Sequence, residues 1–175
     1  DGGGSATYVC RPAGEKDVIV LSNPSDGAER AVANGLVVYS TTPPSDVFDR
    51  ASLKAEGTYY TPYSEIVVEA TGVSPAGTPA EIPEDVEWTL SDDAFGTIED
   101  GVFTSNGTLG TVALQMNYQD KVVGSIEVQI VDPTSASFAQ ATMVVPFGKS
   151  AEVKMTASYY DDEYDVTHPV IFKES

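Results

Sequence analysis

Short apolar runs alternate with turn residues along most of the chain, and this pattern predicts β-strands. Between residues 46 and 132 the runs are bounded by Gly, Pro and Asp at regular intervals, as is typical of antiparallel sandwiches. The predicted strands lie near 51–55, 64–71, 85–90, 96–99, 102–104, 110–117 and 121–131. Their number matches the constant-type immunoglobulin sandwich. We therefore predict an all-β fold in which residues 46–132 form one complete immunoglobulin-like module.

The N-terminal segment has its own strand pattern. Residues 6–10 and 17–22 are strand-like and are separated by a connection of hairpin length that contains Pro and Gly, which predicts a β-hairpin. A continuous apolar run over residues 36–39 predicts a buried strand. Prolines interrupt the pattern immediately afterwards, so residues 1–42 are predicted to be separate from the module.

An internal repeat extends the pattern beyond the module. Residues 65–71 align with residues 152–158, and farther along Phe172 takes the place of Trp88. Residues 134–175 are therefore predicted to be the N-terminal part of a second immunoglobulin-like module, a partial sandwich. Its missing half predicts that these residues pair with the N-terminal segment or, by strand exchange, with another copy of the chain in a homo-oligomer.

The core of the complete module is expected around one tryptophan. Val86, Trp88 and Leu90 alternate toward one face of a predicted strand, so burial is expected for all three. Phe103 and Phe172 are further expected core residues. Stacking of Trp88 on a carbohydrate stays open as an alternative.

The charge of the chain limits its partners. There are 27 acidic and 9 basic residues, and the formal net charge is −18. A chain of this charge is repelled by phosphate backbones and by anionic lipid surfaces, so neither nucleic acid nor membrane is expected as a partner. The single cysteine, Cys10, excludes an internal disulfide and a thiolate metal cluster.

Two clusters of side chains have both a binding and a structural interpretation. The acidic cluster Asp161, Asp162, Glu163 and Asp165 offers oxygen ligands for calcium, but it lacks the glycine and the distant glutamate of an EF-hand loop. No cofactor is therefore expected, and calcium is the alternative. The tyrosine pairs at 59–60 and 159–160 could bind a sugar. Adjacent strand residues point in opposite directions, however, so one tyrosine of each pair is expected in the core.

The central module resembles a known family. Residues 86–91, 96–98, 100–104 and 110–114 resemble the bacterial immunoglobulin-like group 2 family, and the resemblance spans most of the module. It implies a β-sandwich that acts as a spacer or adhesion unit of an extracellular, cell-surface protein of a bacterium.

The first forty residues resemble the C-terminal end of phosphodiester glycosidase domains, the family of N-acetylglucosamine-1-phosphodiester α-N-acetylglucosaminidase. The matching pieces, in order, are residues 1–5, 23–27, 29–30 and Asn34. The resemblance implies Asp1 and Ser5 as remnants of a catalytic site, and Arg30 and Asn34 as substrate contacts. A purely structural role for these residues stays open. The rest of a catalytic domain would lie upstream, so this chain alone is not expected to be an enzyme.

Two classes of function follow from these expectations. The first is a non-catalytic spacer or adhesion region attached to an upstream phosphodiester glycosidase (a hydrolase). The alternative is that the chain forms part of the glycosidase, which would hydrolyse sugar phosphodiester-linked glycoconjugates. A carbohydrate-binding module is a second alternative. The expected partners are the upstream catalytic domain of the same parent chain and carbohydrate or protein of the cell envelope.

Overall fold

The computed structural model describes residues 6–23, 25, 27–139, 142–151 and 154–159, together with the backbone of residues 162–165. These residues are almost entirely strand and loop, and the one helical element among them is a short 3-10 helix, Asp93–Phe95. The prediction of an all-β, sandwich-like fold is confirmed. Contacts divide the chain into two compact units, Asp1–Ser52 with Thr71–Glu84 and Leu53–Ala70 with Asp85–Ser175.

The described strands follow the predicted positions closely through the central module. In chain order they are β1 (Val9–Cys10), β2 (Ile19–Val20), β3 (Arg50–Lys54), β4 (Tyr59–Tyr60), β5 (Glu65–Val67), β6 (Glu69–Val73), β7 (Glu87–Leu90), β8 (Gly96–Glu99), β9 (Val102–Ser105), β10 (Gly110–Tyr118), β11 (Lys121–Ile130), β12 (Ser135–Phe138), β13 (Met155–Tyr159) and β14 (Asp162–Asp165).

The strands of the module pair in three groups. One sheet has the order β4-β11-β10-β7, in which β4 runs parallel to β11 and the other neighbours are antiparallel. The other strands pair as β3-β6 and as β5-β9-β8. Only Val68 separates β5 from β6, and its N–H donates to the Gly101 carbonyl at 2.8 Å. The groups β3-β6 and β5-β9-β8 are therefore joined through one nearly continuous strand.

Two tight turns fix the register of the long hairpins. Asp100 and Gly101, between β8 and β9, have φ values of 48° and 79°. Gln119 and Asp120, between β10 and β11, have φ values of 50° and 58°. Positive φ at both central residues is the geometry of the hairpin turn whose twist matches the flanking strands. The tight turn predicted at residues 100–101 is thus present.

The core of the module lies between its two layers. Phe103 and Leu114 are completely buried there, and alternate residues of β10 and β11 face the same interior. Trp88 and Leu90 are half-buried and pack against this core, and Val86 is half-buried. Phe172 lies outside the described residues. The buried core cluster consists of Tyr60, Ile66, Val68, Phe95, Phe103, Val112, Leu114, Val128 and Ile130.

Buried hydroxyl groups in the module satisfy one another. The N–H of Ser64 donates to Oγ of Ser105 at 2.9 Å, and Oγ of Ser105 donates to the Ser64 carbonyl at 3.2 Å. The hydroxyls of Thr61 and Ser64 are 3.0 Å apart. A buried polar group without such a partner would cost about 1–3 kcal/mol. The network explains how serine is tolerated in an otherwise apolar interior.

The N-terminal segment departs from its prediction at one point. The predicted hairpin is present in shorter form, with Val9 opposite Val20. The buried strand predicted for the apolar run 36–39 is wrong, because this run has no regular secondary structure and Leu36 is 96% exposed. An apolar run becomes a buried strand only where neighbouring strands pair with it, and none of the described strands pairs with this one.

The described part of residues 134–175 contains a three-stranded antiparallel sheet with the order β12-β13-β14. Ala157, at the centre of β13, is completely buried. In the sequence alignment of residues 65–71 with residues 152–158, Ala157 corresponds to Ala70. The described residues therefore contain a sandwich-like module, a short N-terminal hairpin and a further small sheet.

Candidate functional site

The residues suggested by the glycosidase resemblance are only partly described. Asp1 and Ser5 lie outside the described residues. Arg30 and Asn34 are exposed in a segment without regular secondary structure between β2 and β3. Their roles as substrate contacts therefore stay predictions.

The acidic cluster at 161–165 is described only as backbone. Asp161 lies outside the described residues, and Asp162, Glu163 and Asp165 belong to β14. Within the described part of the chain, no group of three or more His, Cys, Asp or Glu residues is placed to hold a metal ion. A search of the same residues finds no helix long and apolar enough to cross a membrane.

The turn of the N-terminal hairpin is packed against the end of β6, within the first unit. Gly14 is buried at this turn with a φ of 83°, and its N–H donates to the Gly77 carbonyl at 3.2 Å. A Cβ added at Gly14 would lie 2.8 Å from Cγ2 of Thr71 and 3.0 Å from Cγ2 of Val73. Only glycine combines this backbone conformation with this close approach. We call this contact the N-terminal junction.

The turn that receives the hairpin is itself well ordered by hydrogen bonds. The hydroxyls of Ser74 and Thr78 are 2.7 Å apart, and the N–H of Ser74 donates to the Thr78 carbonyl at 2.9 Å. The Thr78 hydroxyl also donates to the carbonyl of Ser45, which precedes β3. The chain that enters the module is thus fixed to the same turn as the hairpin.

A second junction lies where the module ends, within the second unit. Residues 131–134 are the whole link between β11 and β12. At one end of the link, the N–H of Val131 donates to the Tyr60 carbonyl at 2.9 Å. At the other end, the N–H and the hydroxyl of Thr134 donate to the Ser158 carbonyl at 2.8 and 3.0 Å. Both ends of the link are therefore held by neighbouring strands.

An aromatic contact lies beside this C-terminal junction. The ring centroids of Tyr59 and Tyr159 are 5.4 Å apart, and their planes are tilted by 44°. Such a pair contributes about 0.5–1.5 kcal/mol beyond the area it buries. Tyr60 is buried whereas Tyr59 is half-buried, as alternation along a strand predicts. One tyrosine of the pair thus packs in the core, and its neighbour contacts the second sheet.

Tyr60 also closes the loop between β3 and β4. Its hydroxyl donates to the Gly57 carbonyl at 2.9 Å and accepts the Gly57 N–H at 2.8 Å. Burial raises the pKa of the Tyr60 phenol above its ordinary value, the hydrogen bond to Gly57 opposes the shift, and the charge of Glu56 adds to it. The neutral phenol is therefore the form that this site favours.

The outer strand β7 is bordered by grooves on both of its faces. Above its outward face lies a groove of about 420 Å³, lined by Asp85, Glu87, Thr89, Asn117, Tyr118, Gln119 and Asp120. Toward β8 lie two adjoining grooves of about 440 Å³ each, and both are lined by Trp88, Ile98 and Glu99. Gly101 closes one side of the indole, because a Cβ there would lie 3.2 Å from Cζ2 of Trp88.

The sequence alone did not reveal either junction. Gly14 belongs to a recognised turn, but the strand it packs against is distant in sequence. The tyrosine pairs are evident in the sequence, yet nothing in their spacing indicates that Tyr59 and Tyr159 touch. A signal was available for the C-terminal junction, because the link between the repeated strand patterns is too short for a flexible linker.

Comparison of the chain with protein-family models, with curated proteins and with solved structures gave no match.

Proposed function

We propose that this chain is a non-catalytic, immunoglobulin-like spacer of an extracellular bacterial protein, and that its upstream part is a phosphodiester glycosidase. The observation that carries the spacer role is the C-terminal junction. There, a link limited to residues 131–134 is hydrogen-bonded at both ends and is accompanied by the contact between Tyr59 and Tyr159. A spacer that sets distance needs junctions of this kind, because a flexible link allows adjoining domains to pivot.

The N-terminal junction supports the same role from the other end of the module. Gly14 places the hairpin turn against β6, and the turn at 74–78 is tied to the chain that enters β3. The glycosidase part of the proposal rests on the resemblance of the first forty residues. The extracellular, cell-surface location rests on the resemblance of the central module. A net charge of −18 suits such a protein, since it keeps extended molecules apart and soluble.

The spacer role can be tested by the width of a distance distribution across the C-terminal junction. Spin labels are attached to the Ser125→Cys and Ser137→Cys variants in a Cys10→Ser background, because Ser125 on β11 and Ser137 on β12 are both exposed. Pulsed electron paramagnetic resonance then measures the label separation. A single narrow distribution is expected for the otherwise unchanged chain.

The matched control carries a flexible Gly-Ser insertion after Asp132, which leaves both sheets intact but lengthens the link. This control should give a broad distribution, and Tyr159→Ser should give an intermediate one. A distribution in the unchanged chain as broad as that of the insertion variant would contradict the spacer role.

A further inference from the structure

Strand β7 lies at the edge of its sheet. Among the described residues it pairs only with β10. The N–H of Ser91 donates to the Ala113 carbonyl at 2.9 Å, which shows that the odd-numbered residues along β7 direct their backbone groups toward β10. In an antiparallel pair, alternate residues direct their backbone groups to opposite sides, so those of Trp88 and Leu90 point away from β10. Among the described residues, the edge of β7 thus presents the backbone N–H and C=O groups of Trp88 and Leu90 in the geometry that an added strand requires.

The grooves beside β7 suit an added strand. An extended segment needs backbone partners along the edge and space for its side chains on both faces of the sheet. The groove above Glu87 and Thr89 provides that space on one face, and the two grooves at Trp88 and Ile98 provide it on the other. Among the described residues, the indole N–H of Trp88 has no hydrogen-bond acceptor. The inner grooves therefore combine the apolar surfaces of Trp88 and Ile98 with one available donor and with the carboxylate of Glu99.

We propose that this edge, with the side chains of Glu87, Trp88, Ile98, Glu99 and Asp100, binds an extended, lysine- or arginine-bearing segment of a partner protein as an additional strand. We call it the β7 edge site. The added strand would extend the sheet β4-β11-β10-β7 by one strand beside β7. Its apolar side chains would enter the inner grooves, and its cationic side chains would face the carboxylates.

Charge determines which partner fits the β7 edge site. The grooves are lined by carboxylates and by no Lys or Arg, and in the described part of the chain the carboxylates at 85, 87, 93, 99 and 100 have no ion-pair partner. Acidic side chains along an open edge discourage pairing with a second copy of this acidic chain. The same side chains attract a basic segment and accelerate its association. The edge is thus protected against self-association while it stays open to a cationic strand.

The site can be tested with a synthetic peptide of alternating lysine and valine with blocked ends. Trp88 is the only tryptophan of the chain, so its fluorescence reports directly on occupancy. Saturable binding is expected, with backbone amide shifts in an HSQC spectrum confined to residues 86–91 and 96–101. Two control peptides should bind about tenfold more weakly or worse. One has glutamate in place of lysine, and the other has N-methylated valines that cannot pair with the edge.

A pair of charge variants separates a specific site from general attraction. Glu87→Gln with Glu99→Gln should weaken peptide binding about fivefold, because two rim ion pairs are lost. Glu81→Gln with Glu127→Gln makes the same change in net charge at exposed positions outside the grooves and should leave binding nearly unchanged. Thermal unfolding of both double variants establishes that they are folded. Equal losses in the two double variants, amide shifts on another edge, or equal binding of the N-methylated peptide would overturn the proposal.

Discussion

The packing of the N-terminal hairpin against β6 should depend on the absence of a side chain at Gly14. The substitution Gly14→Ala places a methyl group 2.8 Å from Cγ2 of Thr71, at a backbone φ of 83°. A left-handed conformation costs a non-glycine residue about 1–2 kcal/mol. The methyl group must also move the turn away from β6, which lengthens the 3.2 Å hydrogen bond from Gly14 to the Gly77 carbonyl.

The chain offers a matched control for the cost of placing alanine at a positive φ. Gly27 has a φ of 75°, and a Cβ there would meet nothing within 4 Å. Gly27→Ala therefore carries a similar conformational cost without the clash. The difference between the two variants isolates the lost contact and hydrogen bond, about 1–2 kcal/mol, or roughly 5- to 30-fold in the opening equilibrium of the junction.

Native-state amide hydrogen exchange measures this opening. The amides of Glu15 and Leu21 donate within the hairpin, to the Pro12 and Tyr8 carbonyls at 3.1 and 2.8 Å. A two-stranded hairpin has little stability by itself, so their protection depends on the contact with β6. Exchange should be roughly 5- to 30-fold faster in Gly14→Ala than in Gly27→Ala. Equal exchange in the two variants would refute the reasoning, since the hairpin would then not depend on close approach at Gly14.

Three further predictions concern the module itself. Phe103→Ala should lower the free energy of unfolding by about 3–5 kcal/mol in urea titrations, because Phe103 is completely buried and its loss leaves a cavity; a loss comparable to that of an exposed substitution would contradict the core assignment. Since burial raises the folded-state pKa of Tyr60, its contribution to stability should be fully present below about pH 10, the pKa in the unfolded chain, and should be lost as pH rises through the folded pKa. In urea titrations at a series of alkaline pH values, Tyr60→Phe should lose less stability than the unchanged chain. An identical pH dependence in the two proteins would contradict the raised pKa of Tyr60. Gly101→Ala, at a φ of 79° and with a Cβ 3.1 Å from the Val68 carbonyl, should destabilise the β8–β9 hairpin by about 1–2 kcal/mol and shift the fluorescence of Trp88; an unchanged spectrum and melting temperature would count against it.

Much of the module could be predicted because its information is local. Alternation in β10 places Val112, Leu114 and Met116 on one face, and all three are buried. The Asp100-Gly101 pair predicts a tight turn, and positive φ values are found at both residues. In these places a period of two residues or a turn residue acts over a few neighbours, and the tertiary structure agrees with it.

The wrong prediction of a buried strand at residues 36–39 arises because burial depends on distant segments and not on neighbouring residues. A continuous apolar run indicates burial only when other strands cover both of its faces, and this condition is not contained in the run itself. The half-burial of Trp88 is a related case. Alternation with Leu90 directs the indole inward, but its exposure depends on the open gap between β7 and β8.

By itself, the sequence determined the all-β class, most strand positions of the central module and the acidic net charge. Only the tertiary structure decided that Gly14 meets β6, that Tyr59 contacts Tyr159, and that β7 lies at the edge of its sheet. The physical reason is the range of the interactions. Strand patterns and turns depend on neighbouring residues, whereas junctions and sheet edges depend on which distant segments come together and which do not.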